Sequence, residues 1–250
     1  MTNAARWQRT KLLKASIFLF SGAAIYLALF VFALATIVPQ RGGAFDFTPR
    51  YVGTQVFWSG GNPYSAETTR IIQTVMFGGE LPPNADQQRF VYPLYTVLPL
   101  APLAALPLPV AIAGWMSLQL WAVLAAIGLW LVMLRWQPRP LTFAALVFLL
   151  AFALRYPVNL FLVANFSGTI LLAWSCAVYL FQRQRGVAGG LVLTLAAIPP
   201  QIGAPLALVT IAAAGRVRVR AGLTYIGVML AALYNYPQKV DHKHSSETEG

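Results

Sequence analysis

Residues 15–38 read ASIFLFSGAAIYLALFVFALATIV, without a charged side chain. A helix that crosses a bilayer needs about 20 consecutive apolar residues, and this stretch is long enough. The basic residues of the preceding segment, 1–14, are Arg6, Arg9, Lys11 and Lys14. A secretory signal peptide also joins a basic start to an apolar stretch, but its apolar core spans only about 7–15 residues. We therefore predict that residues 15–38 form a retained first transmembrane helix and not a cleaved signal.

The chain as a whole is too apolar to cover its surface with polar groups. Of its 250 residues, 58% are apolar and only 10% are charged, whereas an ordinary soluble domain has about 25% charged residues. Six further apolar stretches follow, at residues 91–108, 110–134, 141–154, 159–182, 187–214 and 221–234. Prolines interrupt the first and the fifth of these, which favours short or re-entrant segments beside a cavity. We predict an all-α polytopic transmembrane helical bundle over residues 91–234, with about six to eight membrane segments in the whole chain.

The distribution of charge predicts the orientation of the first helix. The loop at residues 39–90 carries four acidic residues and four arginines, whereas residues 1–14 are purely basic. Basic flanks favour the cytoplasm, so the N-terminus is predicted to be cytoplasmic and the loop extracytoplasmic. Three later arginine clusters, within residues 135–220, also favour the cytoplasm. They can all lie there only if residues 91–108 do not cross fully and residues 187–214 go out and return. Alternatively, residues 91–108 cross fully and some arginine clusters lie outside; the sequence leaves both arrangements open.

Two segments outside the long apolar stretches have patterns of their own. Within the loop, residues 65–77 have the pattern of a short amphipathic helix that could lie on the membrane surface, with Ser65 as its N-cap and Glu67 in its first turn. The preceding residues Gly60-Gly61-Asn62-Pro63 are typical of a turn. Residues 235–250 are polar and are predicted to form a C-terminal tail.

Composition also limits the partners. The formal net charge is +11, but the basic residues form short clusters between apolar stretches, where they contact anionic lipid headgroups, so we predict membrane lipid and no nucleic acid as a partner. The only cysteine, Cys176, lies in an apolar stretch, and both histidines, His242 and His244, lie in the tail. No pair has the spacing of metal ligands within the helices, so neither a metal nor another cofactor is predicted.

An ordered set of short motifs surrounds the loop. It consists of Ala44-Phe45-Asp46-Phe47, Arg50-Tyr51, Gly60-Gly61-Asn62-Pro63-Tyr64 and Phe90-Val91-Tyr92-Pro93-Leu94. This set resembles the opening of polytopic membrane glycosyltransferases of the GT-C superfamily, and most closely the bacterial mannosyl- and arabinosyltransferase-like family. The resemblance is strongest over residues 44–107 and weakens from there to residue 201.

The resemblance implies a transferase of the bacterial plasma membrane that takes a sugar from a polyprenyl-phosphate carrier at the outer face. In such enzymes the loop aspartate is the general base on the acceptor hydroxyl, and the sugar carbon is inverted; that role would fall on Asp46. A carboxylate at an apolar boundary is partly desolvated, which strengthens it as a base. The alternative is a carboxylate that only caps a turn at Thr48.

Arginines are the candidates for binding the donor phosphate. Arg50, Arg89 and Arg155 could hold it through bidentate hydrogen bonds. Arg155 lies in a mostly apolar context, where a charge is costly and therefore a functional candidate. A side chain that reaches up to the lipid headgroups explains Arg155 equally well.

Polar and aromatic residues are the candidates for binding the sugar. Tyr51, Tyr64 and Tyr92 could stack on a sugar ring, although an aromatic belt at the membrane interface is the favoured explanation. Asn62 in the turn is a further candidate. Asn165 is another, because Ala164-Asn165-Phe166-Ser167 stands where these enzymes have Gly-Gln-x-Asn.

The sequence departs from the family at several points. The second proline of Tyr-Pro-Pro is Leu94, and the expected Lys-Pro reads Pro199-Pro200-Gln201. Relatives are also longer, which indicates a shortened relative. The alternative function is therefore a non-catalytic membrane subunit that packs against protein partners in a larger complex, for which small residues such as Gly189 and Gly190 would suit helix–helix contacts.

Overall fold

The computed structural model describes residues 21–41, 43, 45–136, 139, 141–142, 162–198 and 200–241. Within these ranges every regular element is a helix, which confirms the all-α prediction there. Residues 1–20, most of the stretch 141–154, Arg155 and the tail beyond Asp241 lie outside the described residues, and so do the predictions made for them.

Among the described residues, two helices are long and apolar enough to cross a membrane. They are α1, Ser21–Arg41, and α5, Leu108–Met133. Helix α1 contains a π-helical turn at Ala33–Ile37 and exposes large apolar side chains such as Leu27 and Val31. An apolar surface of this kind suits a lipid environment and not water.

The loop between these helices is itself largely helical. Helix α2, Thr48–Trp58, has a proline in its first turn, where the missing amide hydrogen costs nothing. Helix α3, Ala66–Phe77, begins at Ser65, whose hydroxyl accepts a hydrogen bond from the backbone N–H of Thr68, and ends at Gly78 with φ of 80°. The predicted short helix at residues 65–77 and its N-cap are therefore confirmed.

The stretch at residues 91–108 forms only a short helix. A 3₁₀ turn at Leu94–Thr96 leads into α4, Val97–Ala104. Its 8 residues are too few for a crossing helix, which needs about 20. The interruption predicted from the prolines is confirmed, because Pro107 ends this segment and begins α5.

Four further helices follow the second gap in the described residues. They are α6, Ser167–Gln182; α7, Gly186–Leu195; α8, Pro200–Ala212; and α9, Arg218–Asp241, which follows a 3₁₀ turn at Gly215–Val217. The stretch 187–214 is thus divided into two helices, as its prolines predict. Helix α9 continues past residue 234 to Asp241. The polarity of that segment does not mark the end of the helix.

The buried side chains form two clusters. The first joins the loop helices to α1, α4 and α5, with large members such as Phe47, Trp115 and Phe166. The second lies among α6, α7, α8 and α9 and is built mainly from small side chains. Helix α6 connects the two clusters: a Cβ at Gly168 would overlap the carbonyl oxygen of Gln119, so only glycine permits this approach to α5.

Candidate functional site

Asp46 lies between α1 and α2, half-buried, and is fixed by two hydrogen bonds to a distant part of the chain. Its backbone N–H donates to the carbonyl of Val163 at 3.0 Å. Its Oδ2 accepts a hydrogen bond from Nδ2 of Asn165 at 3.2 Å. The loop before α2 and the segment before α6 therefore meet at the carboxylate. The alternative of a turn cap at Thr48 is not what the structure contains, since the N–H of Thr48 donates to Phe45 instead.

The local backbone holds Asn165 in the orientation that reaches Asp46. Its Oδ1 accepts hydrogen bonds from the N–H of Phe166 at 2.5 Å and from the hydroxyl of Ser167 at 3.3 Å. The preceding residue, Ala164, has φ of 56°, a left-handed conformation that costs a residue with a Cβ about 1–2 kcal/mol. The indole N–H of Trp115 donates to the carbonyl of Ala164 at 3.2 Å and holds the turn in place. Strain is thus retained beside the carboxylate.

Arg50 lies one helical turn after Asp46 and is buried, with 6% of its surface exposed. Its Nη1 donates to the backbone carbonyl of Asp46. The guanidinium carbon lies 3.9 Å from the ring centroid of Tyr92 and 4.3 Å from that of Phe166. Within the described residues its Nε has no hydrogen-bond partner. Arg50 is therefore held between two aromatic rings, an arrangement that stabilises a desolvated cation.

Electrostatics follow from this burial. Desolvation lowers the pKa of the Arg50 guanidinium, whereas interactions with Tyr92 and Asp46 raise it. A buried cation is costly unless rings or charges compensate for the lost water. Desolvation is the larger effect, so the pKa of Arg50 is lowered overall, and the rings of Tyr92 and Phe166 and the nearby carboxylate compensate in part for the lost water.

The turn motif and the Tyr92 motif also meet. The Tyr64 hydroxyl donates to the backbone carbonyl of Tyr92 at 2.6 Å, and its ring packs edge-on against Phe90. Asn62 Oδ1 accepts from the N–H of Tyr64 at 3.0 Å and so shapes the turn that presents this tyrosine. A Cβ at Gly53 would overlap the Phe90 ring, so glycine lets Phe90 pack on α2. Asn62 and Tyr64 thus support the Tyr92 backbone beside Arg50.

The remaining predicted residues are placed differently. Tyr51 is buried with its hydroxyl donating to the carbonyl of Leu106 at 2.7 Å, toward the connection between α4 and α5 and not toward Asp46. Arg89 is exposed on the loop surface. Arg155 lies outside the described residues. The structure therefore brings Asp46, Arg50, Tyr92 and Asn165 together, with Asn62 and Tyr64 behind them.

Sequence reasoning missed two aromatic residues of this cluster. Phe166 forms one side of the arginine stack, and Trp115 packs against it with ring centroids 4.4 Å apart. Phe166 follows directly after Asn165, and this position next to a candidate sugar-binding residue is the feature of the sequence that could have indicated it. Trp115 lies in a long apolar helix, where the sequence does not distinguish it from any other core residue.

The chemistry available at this cluster is that of a base. One oxygen of Asp46 is occupied by the Asn165 amide, and no donor among the described residues reaches the other oxygen. A carboxylate oriented in this way can accept a proton from a hydroxyl placed within hydrogen-bond distance. The described residues hold no group of three or more potential metal ligands.

Comparison with known proteins gives one match. Residues 90–242, more than half of the chain, match the model of glycosyltransferase family 87, a family of GT-C-type membrane glycosyltransferases. This confirms the resemblance inferred from the motifs. The matched region includes Tyr92 and Asn165 but begins after Asp46 and Arg50. Neither curated proteins nor solved structures gave a match to the chain.

Proposed function

Because this chain belongs to glycosyltransferase family 87, we propose that it transfers a sugar from a polyprenyl-phosphate donor to an acceptor hydroxyl at the outer face of the plasma membrane. Membership of the family implies a membrane glycosyltransferase. The donor class, the membrane face and the residue roles are the content of the proposal.

The observation that carries the proposal is the hydrogen bond between Asp46 and Asn165 at 3.2 Å. It ties a half-buried loop carboxylate to the region that matches the family. We assign Asp46 as the general base. The acceptor oxygen attacks the anomeric carbon, the bond from that carbon to the phosphate oxygen breaks, and the polyprenyl phosphate leaves with its electron pair. The acceptor proton passes to the free oxygen of Asp46.

Arg50 is assigned as a positioning residue in this reaction. Its hydrogen bond to the Asp46 carbonyl and its place between Tyr92 and Phe166 fix the start of α2 and with it the carboxylate. Bidentate contact with a donor phosphate would require Arg50 to leave that stack. Arg89, which is exposed, is the proposed phosphate ligand, since an exposed guanidinium can form two parallel hydrogen bonds to phosphate. Arg155, which lies outside the described residues, stays a second candidate from the sequence.

Tyr64 and Tyr92 are the proposed sugar platform. Arg50 lies over the Tyr92 ring and Phe90 packs edge-on against it, so a sugar would contact only the half-exposed remainder of that ring. The Tyr64 hydroxyl bonds the Tyr92 backbone carbonyl at 2.6 Å, and its ring packs on Phe90, which places Tyr64 and the Asn62 turn beside Tyr92. Tyr51, whose hydroxyl is engaged by Leu106, is assigned to support α2 and not to touch sugar.

The structure removes one argument for the alternative function, that of a non-catalytic membrane subunit. Gly189 and Gly190, which suit contacts with another chain, are buried within this one. A Cβ at Gly189 would overlap the Phe181 ring, and one at Gly190 would lie 2.6 Å from the carbonyl oxygen of Ala221. These glycines therefore serve internal packing of α6, α7 and α9.

The decisive experiment measures sugar transfer by the full chain reconstituted in liposomes with a polyprenyl-phosphate sugar donor. Asp46→Asn keeps the shape of the side chain and removes the base, and we expect a rate at least about 100-fold lower. Asp86→Asn is the matched control, because Asp86 is an exposed aspartate of the same loop. We expect it to retain full activity. Equal turnover by Asp46→Asn and wild type would remove Asp46 from the mechanism.

The membrane face is tested separately by cysteine labelling. Cys176 is replaced by alanine to remove the native thiol, and Ser59→Cys places one on the exposed end of α2. We expect a membrane-impermeant maleimide to label this thiol from the outside of intact cells. Labelling only after the cells are permeabilised would place the loop in the cytoplasm and contradict an outer-face reaction.

A further inference from the structure

A second polar surface lies far from Asp46, where two turns carry five arginines. All of these side chains are exposed: Arg183, Arg185, Arg216, Arg218 and Arg220. Residues 87–240 contain no acidic residue. No carboxylate from that part of the chain can therefore neutralise them, whereas Arg70 in the loop forms an ion pair with Glu80 at 3.4 Å.

The two turns are in direct contact. A Cβ at Gly186, after the first turn, would lie 3.0 Å from the Cβ of Val217 and 3.2 Å from that of Arg220, in the second. The two basic turns are therefore neighbours in the fold. An anion that lies within the Debye length of about 8 Å of arginines from both turns is attracted by both at physiological salt.

An apolar cavity opens between these turns. It has a volume of about 330 Å³ and lies between the last turn of α6 and the end of α8. Val178, Phe181 and Ala214 form apolar walls, whereas Gln182, Gln184 and Arg216 supply polar groups at the lining. A small, mostly apolar cavity with a few polar groups is the usual form of a ligand site. We call this cavity and its arginines the arginine crevice.

We propose that the arginine crevice binds an anionic glycerophospholipid, with its phosphate on Arg216 and part of an acyl chain against Phe181 and Val178. Arg216 lines the cavity. Arg183 lies between the lining residues Gln182 and Gln184 in the chain, with its guanidinium carbon 5.2 Å from the ring centroid of Tyr179, and supplies a second exposed cation at the rim. An arginine can bind phosphate through two parallel hydrogen bonds, and the apolar wall suits a hydrocarbon chain but not a free anion. The excess of positive charge disfavours a zwitterionic headgroup, because its ammonium group would be repelled. The site is independent of the proposed sugar transfer.

The position of the arginine crevice at the end of α6 supports a lipid as its ligand. This helix has 16 residues, so its ends are about 24 Å apart along the axis. It begins beside Asp46 and ends at the arginine crevice. The arginine crevice therefore lies at the boundary of the apolar helices away from the candidate active site, where lipid headgroups are present and polybasic segments bind anionic lipid.

The test uses purified full-length protein in nanodiscs of phosphatidylcholine with or without phosphatidylglycerol. Bound lipid is counted by native mass spectrometry after mild release. We expect phosphatidylglycerol to be retained about tenfold or more over phosphatidylcholine, and Arg183→Gln combined with Arg216→Gln to abolish most of that preference. The matched control, Arg135→Gln with Arg139→Gln, removes two exposed arginines that do not line the cavity and is expected to keep the preference. Loss of preference in both double variants, or in neither, would overturn the proposal.

Two further arms separate a lipid site from simple anion binding. Ala214→Phe fills the cavity without touching the arginines, and we expect it to weaken retention of phosphatidylglycerol; Ala213→Trp, at an adjacent lining position, replaces it if the first variant does not fold. Wild-type retention in the filled variant would overturn the role of the cavity. Millimolar inorganic phosphate is expected to leave the lipid bound, and full displacement by it would show a free-anion site instead.

Discussion

Arginine is used in two opposite ways at the two ends of α6. At its start, Arg50 is buried between Tyr92 and Phe166 and bonded to a backbone carbonyl. At its end, Arg216 lines an apolar cavity and Arg183 follows a lining residue in the chain; both are exposed and have no acidic partner in residues 87–240. A cation that is fixed and desolvated can position its neighbours but binds a new ligand only at the cost of its own contacts. A cation that is exposed and has no acidic partner is available to bind a ligand.

The largest expected difference between these ends is in stability. Arg50→Ala removes two ring contacts and a hydrogen bond from a buried site, and we expect it to lower the free energy of unfolding by about 3 kcal/mol. Arg218→Ala removes an exposed arginine and should change it by less than about 0.5 kcal/mol. Thermal melting of both variants in the same detergent compares them. Equal melting temperatures would contradict the structural role assigned to Arg50.

A companion variant separates the charge of Arg50 from its packing. Arg50→Met keeps an elongated apolar side chain between the two rings, so we expect most of the stability lost in Arg50→Ala to return. Sugar transfer should nevertheless remain below wild type, because methionine cannot donate to the Asp46 carbonyl. Full activity in Arg50→Met would reduce Arg50 to a packing residue.

The parts of this architecture that can be predicted are those determined by residues close together in sequence. The helix at Ala66–Phe77 and its Ser65 cap follow from a pattern of neighbouring residues, and the structure has both. The breaks in two apolar stretches follow from prolines, whose effect on a helix is local. The family was also accessible, because its motifs are short and ordered along the chain.

The geometry of the site was not accessible in the same way. Asp46 and Asn165 are separated by 119 positions, and no local pattern indicates that their side chains meet. Arg50 was expected to bind phosphate because a charged residue in a loop is normally solvated, whereas tertiary packing buries it here. The contribution of Phe166 and Trp115 arises in the same way, from helices that contact one another only in the folded chain.

The next largest effect concerns the fixed end alone. Asn165→Ala removes the only hydrogen bond that the described residues make to the Asp46 carboxylate, and bonds to charged groups contribute about 1.5–3 kcal/mol. We expect kcat for sugar transfer to fall about 10- to 100-fold, because the Asp46 carboxylate loses its orientation. KM should change much less, because the contacts of the substrate are not altered.

The variant Asn165→Asp sharpens this test. It places a second carboxylate 3.2 Å from Oδ2 of Asp46, where like charges repel. We expect it to be less active than Asn165→Ala at neutral pH, although it is closer to asparagine in shape. Asn84→Asp, at an exposed position of the loop, is the control for the added charge. If Asn165→Asp is as active as wild type, the two side chains do not interact in the working enzyme.

The smallest effect compares one strained residue from each end of α6. Ala164, before the helix, has φ of 56°, and Gln184, after it, has φ of 60°. Glycine adopts this conformation without the steric cost of a Cβ, but it also loses more entropy on folding, so each substitution should stabilise the fold by only about 0.5 kcal/mol.

For Gln184→Gly we expect a slightly higher melting temperature and unchanged sugar transfer. For Ala164→Gly we expect a similar gain in stability together with lower activity, because a more permissive backbone no longer holds Asn165 against Asp46. Melting curves and transfer rates of the two variants, measured side by side, decide between these outcomes: unchanged activity in Ala164→Gly would mean that the strain before α6 serves only the turn and not the carboxylate.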